Sequence, residues 1–387
     1  MKKISVLLMS LFLLAGCGPA AGGPVGDGNK AEGDTIKIGM NMELSGDVSA
    51  YGTAEKEGIT LAVEEINANG GVLGKKLELI EKDNKSENGE STSVAANLTS
   101  RSKVVAVVGS ATSGATKASI PNMTRAAVPV ITPSGTDDSI TVFNGKVQEY
   151  AFRACFQDSF QGVILAKFAT DNLKAKKVVI IGDNSSDYAI GLTKSFKKTY
   201  QGTVVKEETF TAGDKDFQAA LTKIKDLDFD AIYLPGYYSE GGLIIKQARE
   251  LGINQPIFGA DGLGDEKLAE IAGNKNTSNI YYTGHFSDKA PATDKVQPFV
   301  AAFKKKYQKA PSAFSALAFD AIYMLKQAIE TQQSADSKAI VEGLKKLKDF
   351  NGVTGVMTMD ENHNPEKSAV VLGLTNGKET SAQPVNP

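Results

Sequence analysis

On either side of about residue 155 the chain repeats one alternation: a short β-branched or apolar run, then a longer stretch with apolar residues at helical spacing. Thr35-Ile36-Lys37-Ile38-Gly39-Met40 alternates as a strand does. Ile59, Ala62, Val63 and Ile66 fall on one helical face, Gly70-Gly71 stops that helix, and Leu77-Glu78-Leu79-Ile80 opens the next strand. Residues 104–108 and 128–131 are continuous apolar runs, with a helix predicted over 113–127 between them. Such runs suit parallel strands covered on both faces. Past residue 155 the order continues with a helix near 161–173, a strand at 177–182, a helix near 188–200 and a strand at 231–234. A helix near 241–251 and strands at 256–259 and 280–283 complete it. Parallel strands need crossovers, usually helices, so the pattern predicts an α/β chain with two doubly wound, parallel-sheet lobes.

Length agrees with two cores. Helical stretches at 296–307, 314–331 and 338–347 are too few for a third domain and are expected to return to the first lobe. The expected division is 35–153 plus 285–359 for lobe 1 and 154–284 plus 360–387 for lobe 2. Three crossings, near residues 153–156, Gly284 and Asp360, would join them.

The chain opens with Met1-Lys2-Lys3 and an apolar run over residues 4–14, ending in Leu14-Ala15-Gly16-Cys17. A cationic start, a short apolar core and small residues before a cut describe a signal peptide over 1–16. The run is shorter than the roughly 20 residues a membrane span needs. Leu-Ala-Gly-Cys resembles the lipobox of bacterial lipoproteins, which implies acylation of Cys17 and a place on the outer face of the cell membrane. Residues 17–34 start Gly-rich with little to bury and are expected to be a flexible tether, reaching on the order of 20–25 Å. Holding a folded body outside the membrane in this way suits an envelope without an outer membrane.

Charge excludes one class of partner. Without Lys2 and Lys3 the body has 41 basic against 45 acidic residues, so no cationic field is available for nucleic acid. Cys155 is the one cysteine besides Cys17 and reads as a buried small hydrophobe. Only His285 and His363 exist, without metalloenzyme spacing, and there is no nucleophile elbow or dinucleotide fingerprint. Neither catalytic residue, metal site nor cofactor is expected.

Two loops follow strand ends. Gly109-Ser110-Ala111-Thr112-Ser113-Gly114-Ala115-Thr116 opens a helix but has Ala115 where a phosphate loop needs Lys. The helix start still offers free N–H groups to an anion, and Ser113 would either add a hydroxyl donor or cap the helix. Pro133-Ser134-Gly135-Thr136 lies at the same end of the next strand, either as half of a polar cradle or as a plain turn.

Further segments carry a resemblance. Leu44-Ser45-Gly46, Ala50-Tyr51-Gly52, Gly58 and Ile66-Asn67-Ala68-Asn69-Gly70-Gly71-Val72-Leu73-Gly74-Lys75 are similar to the opening of the leucine/isoleucine/valine-binding proteins. Val130 through Thr136, Thr211 through Phe217, and Tyr237 through Gln247-Ala248-Arg249 extend the likeness over nearly the whole chain after the tether. The resemblance implies the type I periplasmic-binding-protein fold and a monomeric receptor that closes on an amino acid and docks on an ABC permease. It implies that Ser113, with neighbouring amides, binds the ligand carboxylate, that Thr136 and the Ser134 backbone assist with Gly135 beside them, and that Asp261, followed by Gly262, neutralises the ammonium. Tyr51, Ala111, Thr112, Tyr188, Tyr237 and Phe314 would line the side-chain pocket, and the aromatic walls suit a branched aliphatic group. Asp261 departs from the Glu of that family, and Ser86 and Thr112 stand where some members carry a disulfide. A sensory receptor of the same fold, a binder of another amino acid or amide, and a lipid-anchored hydrolase are the competing readings.

Overall fold

A computed structural model describes residues 25–385; the expected signal peptide, Cys17 and the first part of the expected tether lie outside them. In chain order, lobe 1 opens with β1 (Thr35–Met42), α1 (Ser49–Ala68), β2 (Lys76–Asp83), α2 (Asn88–Ser100), β3 (Ala106–Gly109), α3 (Ser113–Ala126) and β4 (Val130–Thr132). A small hairpin, β5 (Val142–Phe143) and β6 (Lys146–Val147), precedes β7 (Ala151–Arg153). Lobe 2 runs through α4 (Asp158–Asp171), β8 (Lys177–Asp183), α5 (Asp187–Thr199), β9 (Thr203–Phe210) and α6 (Gln218–Lys225). Then come β10 (Ala231–Tyr233), α7 (Tyr238–Glu250), β11 (Ile257–Gly259), α8 (Glu266–Ala272) and β12 (Ile280–Gly284). The chain continues with α9 (Val296–Tyr307), α10 (Ala313–Gln332), α11 (Ser337–Lys345), β13 (Phe350–Asn351), β14 (Val356–Met359) and β15 (Pro365–Glu366). It ends on β16 (Ala369–Thr375) and β17 (Lys378–Val385).

Lobe 1 is a parallel sheet of order β2-β1-β3-β4-β7. One face packs α1, α9, α10 and α11 around Ile38, Met40, Phe303 and Ile322, and the other packs α2 and α3 around Val107, Leu98 and Met123. Burial on both faces is why these strands read as unbroken apolar runs. Gly58 lets α1 and α10 meet closely, since a Cβ there would stand 2.0 Å from the carbonyl oxygen of Ser315.

Lobe 2 has the order β17-β16-β12-β11-β10-β8-β9, parallel from β12 to β9, with β16 and β17 added antiparallel at one edge. That hairpin had a sequence signal: Asn376-Gly377 has φ of 51° and 74°, the positive values a two-residue type I′ turn requires. Pro384 is tolerated because β17 is an edge strand.

Two boundaries differ from the sequence expectation. Residues 26–34 are not free tether. Gly26 N–H donates to the Arg125 carbonyl at 2.8 Å, and the Asn29 side-chain amide donates to the carbonyls of Thr99 (2.9 Å) and Val104 (2.8 Å). The Asn29 carbonyl in turn accepts from Ser337 N–H at 2.9 Å. One asparagine thus satisfies a carbonyl in the last turn of α2 and an N–H in the first turn of α11, groups a helix leaves unpaired. The third crossing falls near Lys367 rather than Asp360. Before it, β15 pairs with β14, the His363 ring stacks on Phe152 (centroids 4.1 Å apart), and Thr141 donates to Asn364 at 2.8 Å. Among the described residues, no helix is long and apolar enough to cross a membrane.

Candidate functional site

The carboxyl ends of both parallel sheets look into the cleft between the lobes. From lobe 1, β3 ends at Gly109 and turns into α3. The carboxylate of Glu43, fully buried, accepts the N–H of Ala111 (2.9 Å) and of Thr112 (3.0 Å) and the Thr112 hydroxyl (2.7 Å). Two of the amides expected to greet an anion are therefore occupied, and the first N–H groups of α3 itself remain. Ser113 is the first helical residue, not the cap, and its hydroxyl oxygen accepts Asp137 N–H at 3.1 Å. Accepting there leaves the Ser113 O–H proton free to donate.

The loop after β4 is held from behind. Gly135 N–H donates to Thr132 Oγ1 at 2.8 Å, and the Gly135 carbonyl accepts from Arg153 Nη1 (3.2 Å) and Cys155 Sγ (3.2 Å). Ser134 Oγ lies 2.5 Å from Glu55 Oε1 and 2.8 Å from the Ala111 carbonyl. Burial pushes the Glu55 carboxyl well above the usual carboxylate range, and nearby Glu43 adds to the rise. A protonated Glu55 donating to Ser134, which donates to Ala111, gives every proton in that chain an acceptor.

From lobe 2, Asp261 follows β11. Its Oδ1 accepts from the Tyr188 hydroxyl (2.7 Å) and Gln161 Nε2 (3.0 Å), and its Oδ2 lies 2.9 Å from His285 Nε2. Tyr188 is oriented by accepting Gly262 N–H at 2.8 Å, and its ring stacks on Tyr237 with centroids 5.0 Å apart. Burial lowers the His285 imidazole to about 4, against the opposing pull of Asp261. The neighbouring Asp158 carboxyl is pushed well up, by burial first and by Asp261 next.

The two sides meet. Tyr51 of α1 donates to the Gly262 carbonyl at 2.5 Å and accepts Tyr238 N–H at 3.3 Å, while its ring stacks on Phe314 of α10 at 4.4 Å. Between them lies a narrow pocket lined by Tyr51, Ala111, Thr112, Ser113, Ser134, Tyr188, Tyr237, Asp261, Gly262 and Phe314. All ten are among the twelve residues singled out from sequence. The remaining two, Gly135 and Thr136, are not on the lining: Gly135 has both backbone polar groups engaged, and Thr136 is buried with its hydroxyl unpartnered. The sequence reading missed Glu43, Glu55, Gln161 and His285, none of which sits in a local motif.

Glu55 gives the site a pH signature. A carboxyl raised in the folded state stabilises the fold below its unfolded value of 4.5, and that stability is lost as pH rises through the folded value. Glu55→Gln should flatten the decline above pH 4.5, a slope of up to about 1.4 kcal/mol per pH unit for one group. Urea unfolding of both proteins between pH 4.5 and 7.5 measures this, and parallel curves would show that Glu55 is ionised in the fold. Among the described residues no group of His, Cys, Asp and Glu is placed to hold a metal ion.

The described architecture and cavity agree with known proteins. The family model described as "Periplasmic binding protein" matches residues 35–379. The chain is 33% identical to the Leu/Ile/Val-binding protein BraC3 of Rhizobium johnstonii, over 84% of this chain and 88% of that one. It superposes on the substrate binding protein LivJ of a Streptococcus pneumoniae branched-chain amino acid transporter, solved in complex with isoleucine. That likeness has a TM-score of 0.87 and 49% identity, and covers 91% of this chain and all of the other. A solute binding protein from R. palustris in complex with benzoate shares the fold, with a TM-score of 0.79 at 24% identity, over 91% of this chain and 98% of that one. Parallel-sheet lobes closing on a polar-ended, aromatic-walled cavity, a family match across most of the chain and a relative above 30% identity lead to one assignment: the chain belongs to the substrate-binding proteins of branched-chain amino acid ABC transporters, within the periplasmic binding protein family.

Proposed function

We propose that this chain captures leucine, isoleucine or valine between its lobes outside the cytoplasmic membrane and delivers it to an ABC permease, working as a lipid-anchored monomer. The observation that carries the reading is how chemistry is divided around the cavity. At the lobe 1 end stand neutral donors, the free proton of Ser113 and the first N–H groups of α3, which suit a carboxylate. Across from them stands the Asp261 carboxylate, the one acidic group on the lining, which suits an ammonium. Tyr51, Tyr188, Tyr237 and Phe314 form the apolar walls. Such a site rewards an α-amino acid with a hydrophobic side chain and penalises a ligand lacking the ammonium, which strands a buried carboxylate. Acylated Cys17 and the Gly-rich segment after it would keep the receptor beside its permease.

The test is a melting-temperature screen with leucine, isoleucine, valine, glutamine and benzoate, followed by calorimetry. Ligand at 100 times Kd stabilises the fold by about 2.7 kcal/mol. A shift with the three branched-chain amino acids and none with benzoate is expected. A shift with benzoate or glutamine alone would overturn the ligand assignment, and a mature N-terminus without acyl mass on Cys17 would overturn the anchor.

A further inference from the structure

We propose that His285 is a positioning residue for amino-acid recognition: from the second crossing between the lobes, its Nε2–H fixes the Asp261 carboxylate that meets the ligand ammonium. The inference rests on the reading of Asp261 given above and adds to it what aims that side chain. Aspartate is one methylene shorter than glutamate, so it reaches less far from the backbone and depends more on its surroundings for direction. Asp261 Oδ1 has two donors, and both are themselves fixed. Tyr188 accepts Gly262 N–H, and Gln161 Oε1 accepts from Thr283 Oγ1 (2.5 Å) and from Asp261 N–H (3.1 Å). Oδ2 has one neighbouring donor among the described hydrogen bonds, His285 Nε2 at 2.9 Å. Without it the carboxylate is held through Oδ1 alone, and Oδ2, the second oxygen, loses the donor that sets its direction.

The imidazole is held in turn. It is fully buried and stacks on Phe156 of the first crossing with centroids 3.7 Å apart, so two of the three connections between the lobes bear on its orientation. Its Nδ1 has no partner, which leaves Nε2 as the protonated nitrogen facing the acceptor oxygen. A neutral donor is what the position requires. A lysine or arginine there would neutralise Asp261 before the ligand arrived and would repel the incoming ammonium, whereas neutral imidazole orders the carboxylate and leaves its charge available. Burial, which disfavours the imidazolium, keeps it neutral at ordinary pH.

The test is a double-mutant cycle on leucine affinity by calorimetry with His285→Leu, His285→Gln, Asp261→Asn and the His285→Leu/Asp261→Asn pair. His285→Leu should weaken leucine binding about 10- to 100-fold, the range for losing a hydrogen bond to a charged group. His285→Gln, which can place an amide N–H near the former Nε2, should recover affinity to within a few-fold of wild type. In the Asp261→Asn background the His285→Leu change should cost nothing further, because its effect runs through a carboxylate no longer present. Wild-type affinity in His285→Leu, or the same loss repeated in the Asp261→Asn background, overturns the proposal. If the wild-type protein takes another amino acid in place of leucine, the ligand assignment fails, and the same cycle run with that amino acid still decides the role of His285.

Discussion

Asp261→Asn should lower the affinity for leucine by about 30-fold or more, while the ligand-free protein stays folded. The size of the loss follows from the cavity. Leucine bound as proposed, between Ser113 and Asp261, would give up the water around its ammonium, and the lining supplies no second carboxylate to replace it. Removing one partner of a buried, hydrogen-bonded charge pair costs about 2–5 kcal/mol, of which much is the penalty on the charge left behind. Asparagine keeps the shape and one acceptor oxygen. Its NH₂ group will face one of the donors Tyr188, Gln161 or His285, so the unliganded protein is expected to lose about 1–3 kcal/mol. Calorimetry measures the first effect and urea unfolding the second. Affinity within threefold of wild type would place the ammonium elsewhere, with Glu43 and Glu55 buried behind Ala111, Thr112 and Ser134 and Asp158 buried beside Gln161.

The same residues show how far the sequence could be read. Parallel strands β3 and β8 and helices α9 and α10 were legible because burial on defined faces writes a period or an unbroken apolar run into the chain. Helix α2 left no such mark. It is rich in Ser and Thr and buries only Ser91, Val94, Ala95, Leu98 and Thr99. Edge strand β9, Thr203–Phe210, went unseen for the opposite reason: it is largely exposed and charged, as an edge that must not recruit another chain tends to be.

Within the site, the lining was legible and its support was not. Ten residues could be named because their loops resemble those of related receptors. Gly135 and Thr136 belong to one of those loops, yet they stand off the lining because Thr132 Oγ1 takes the Gly135 amide and Arg153 its carbonyl. Backbone partner choice of this kind leaves no trace in residue type. His285 looked isolated in sequence because its partners Asp261 and Phe156 are 24 and 129 positions away, and only the fold brings the three together.

Arg153 is where that hidden support carries the largest stability effect. It closes β7 at the first crossing, is fully buried, and makes no salt bridge among the described residues. A buried guanidinium facing neutral oxygens is costly to desolvate, so its place has to be explained by what it holds. Nη1 donates to the Gly135 carbonyl, and Nη2 donates to the Asp137 carbonyl at 2.7 Å and lies 3.4 Å from Thr141 Oγ1. Asp137 N–H is the group that donates to Ser113, so Arg153 fixes, through one residue, the hydroxyl proposed to meet the ligand carboxylate. Arg153→Met should destabilise the fold by about 2–4 kcal/mol, as two buried carbonyls each lose a charged donor, keeping only Cys155 Sγ at Gly135 and Ile140 N–H at Asp137, while the desolvation cost of the cation is relieved. Arg153→Lys should do little better, since a point donor cannot span both carbonyls as a planar fork does. Both variants should also weaken leucine binding at temperatures where they remain folded, because Ser113 loses the partner that frees its proton. Urea unfolding and calorimetry on the same samples check the two effects together, and a variant as stable as wild type with undiminished affinity would mean that the 135–137 loop keeps its shape without the arginine.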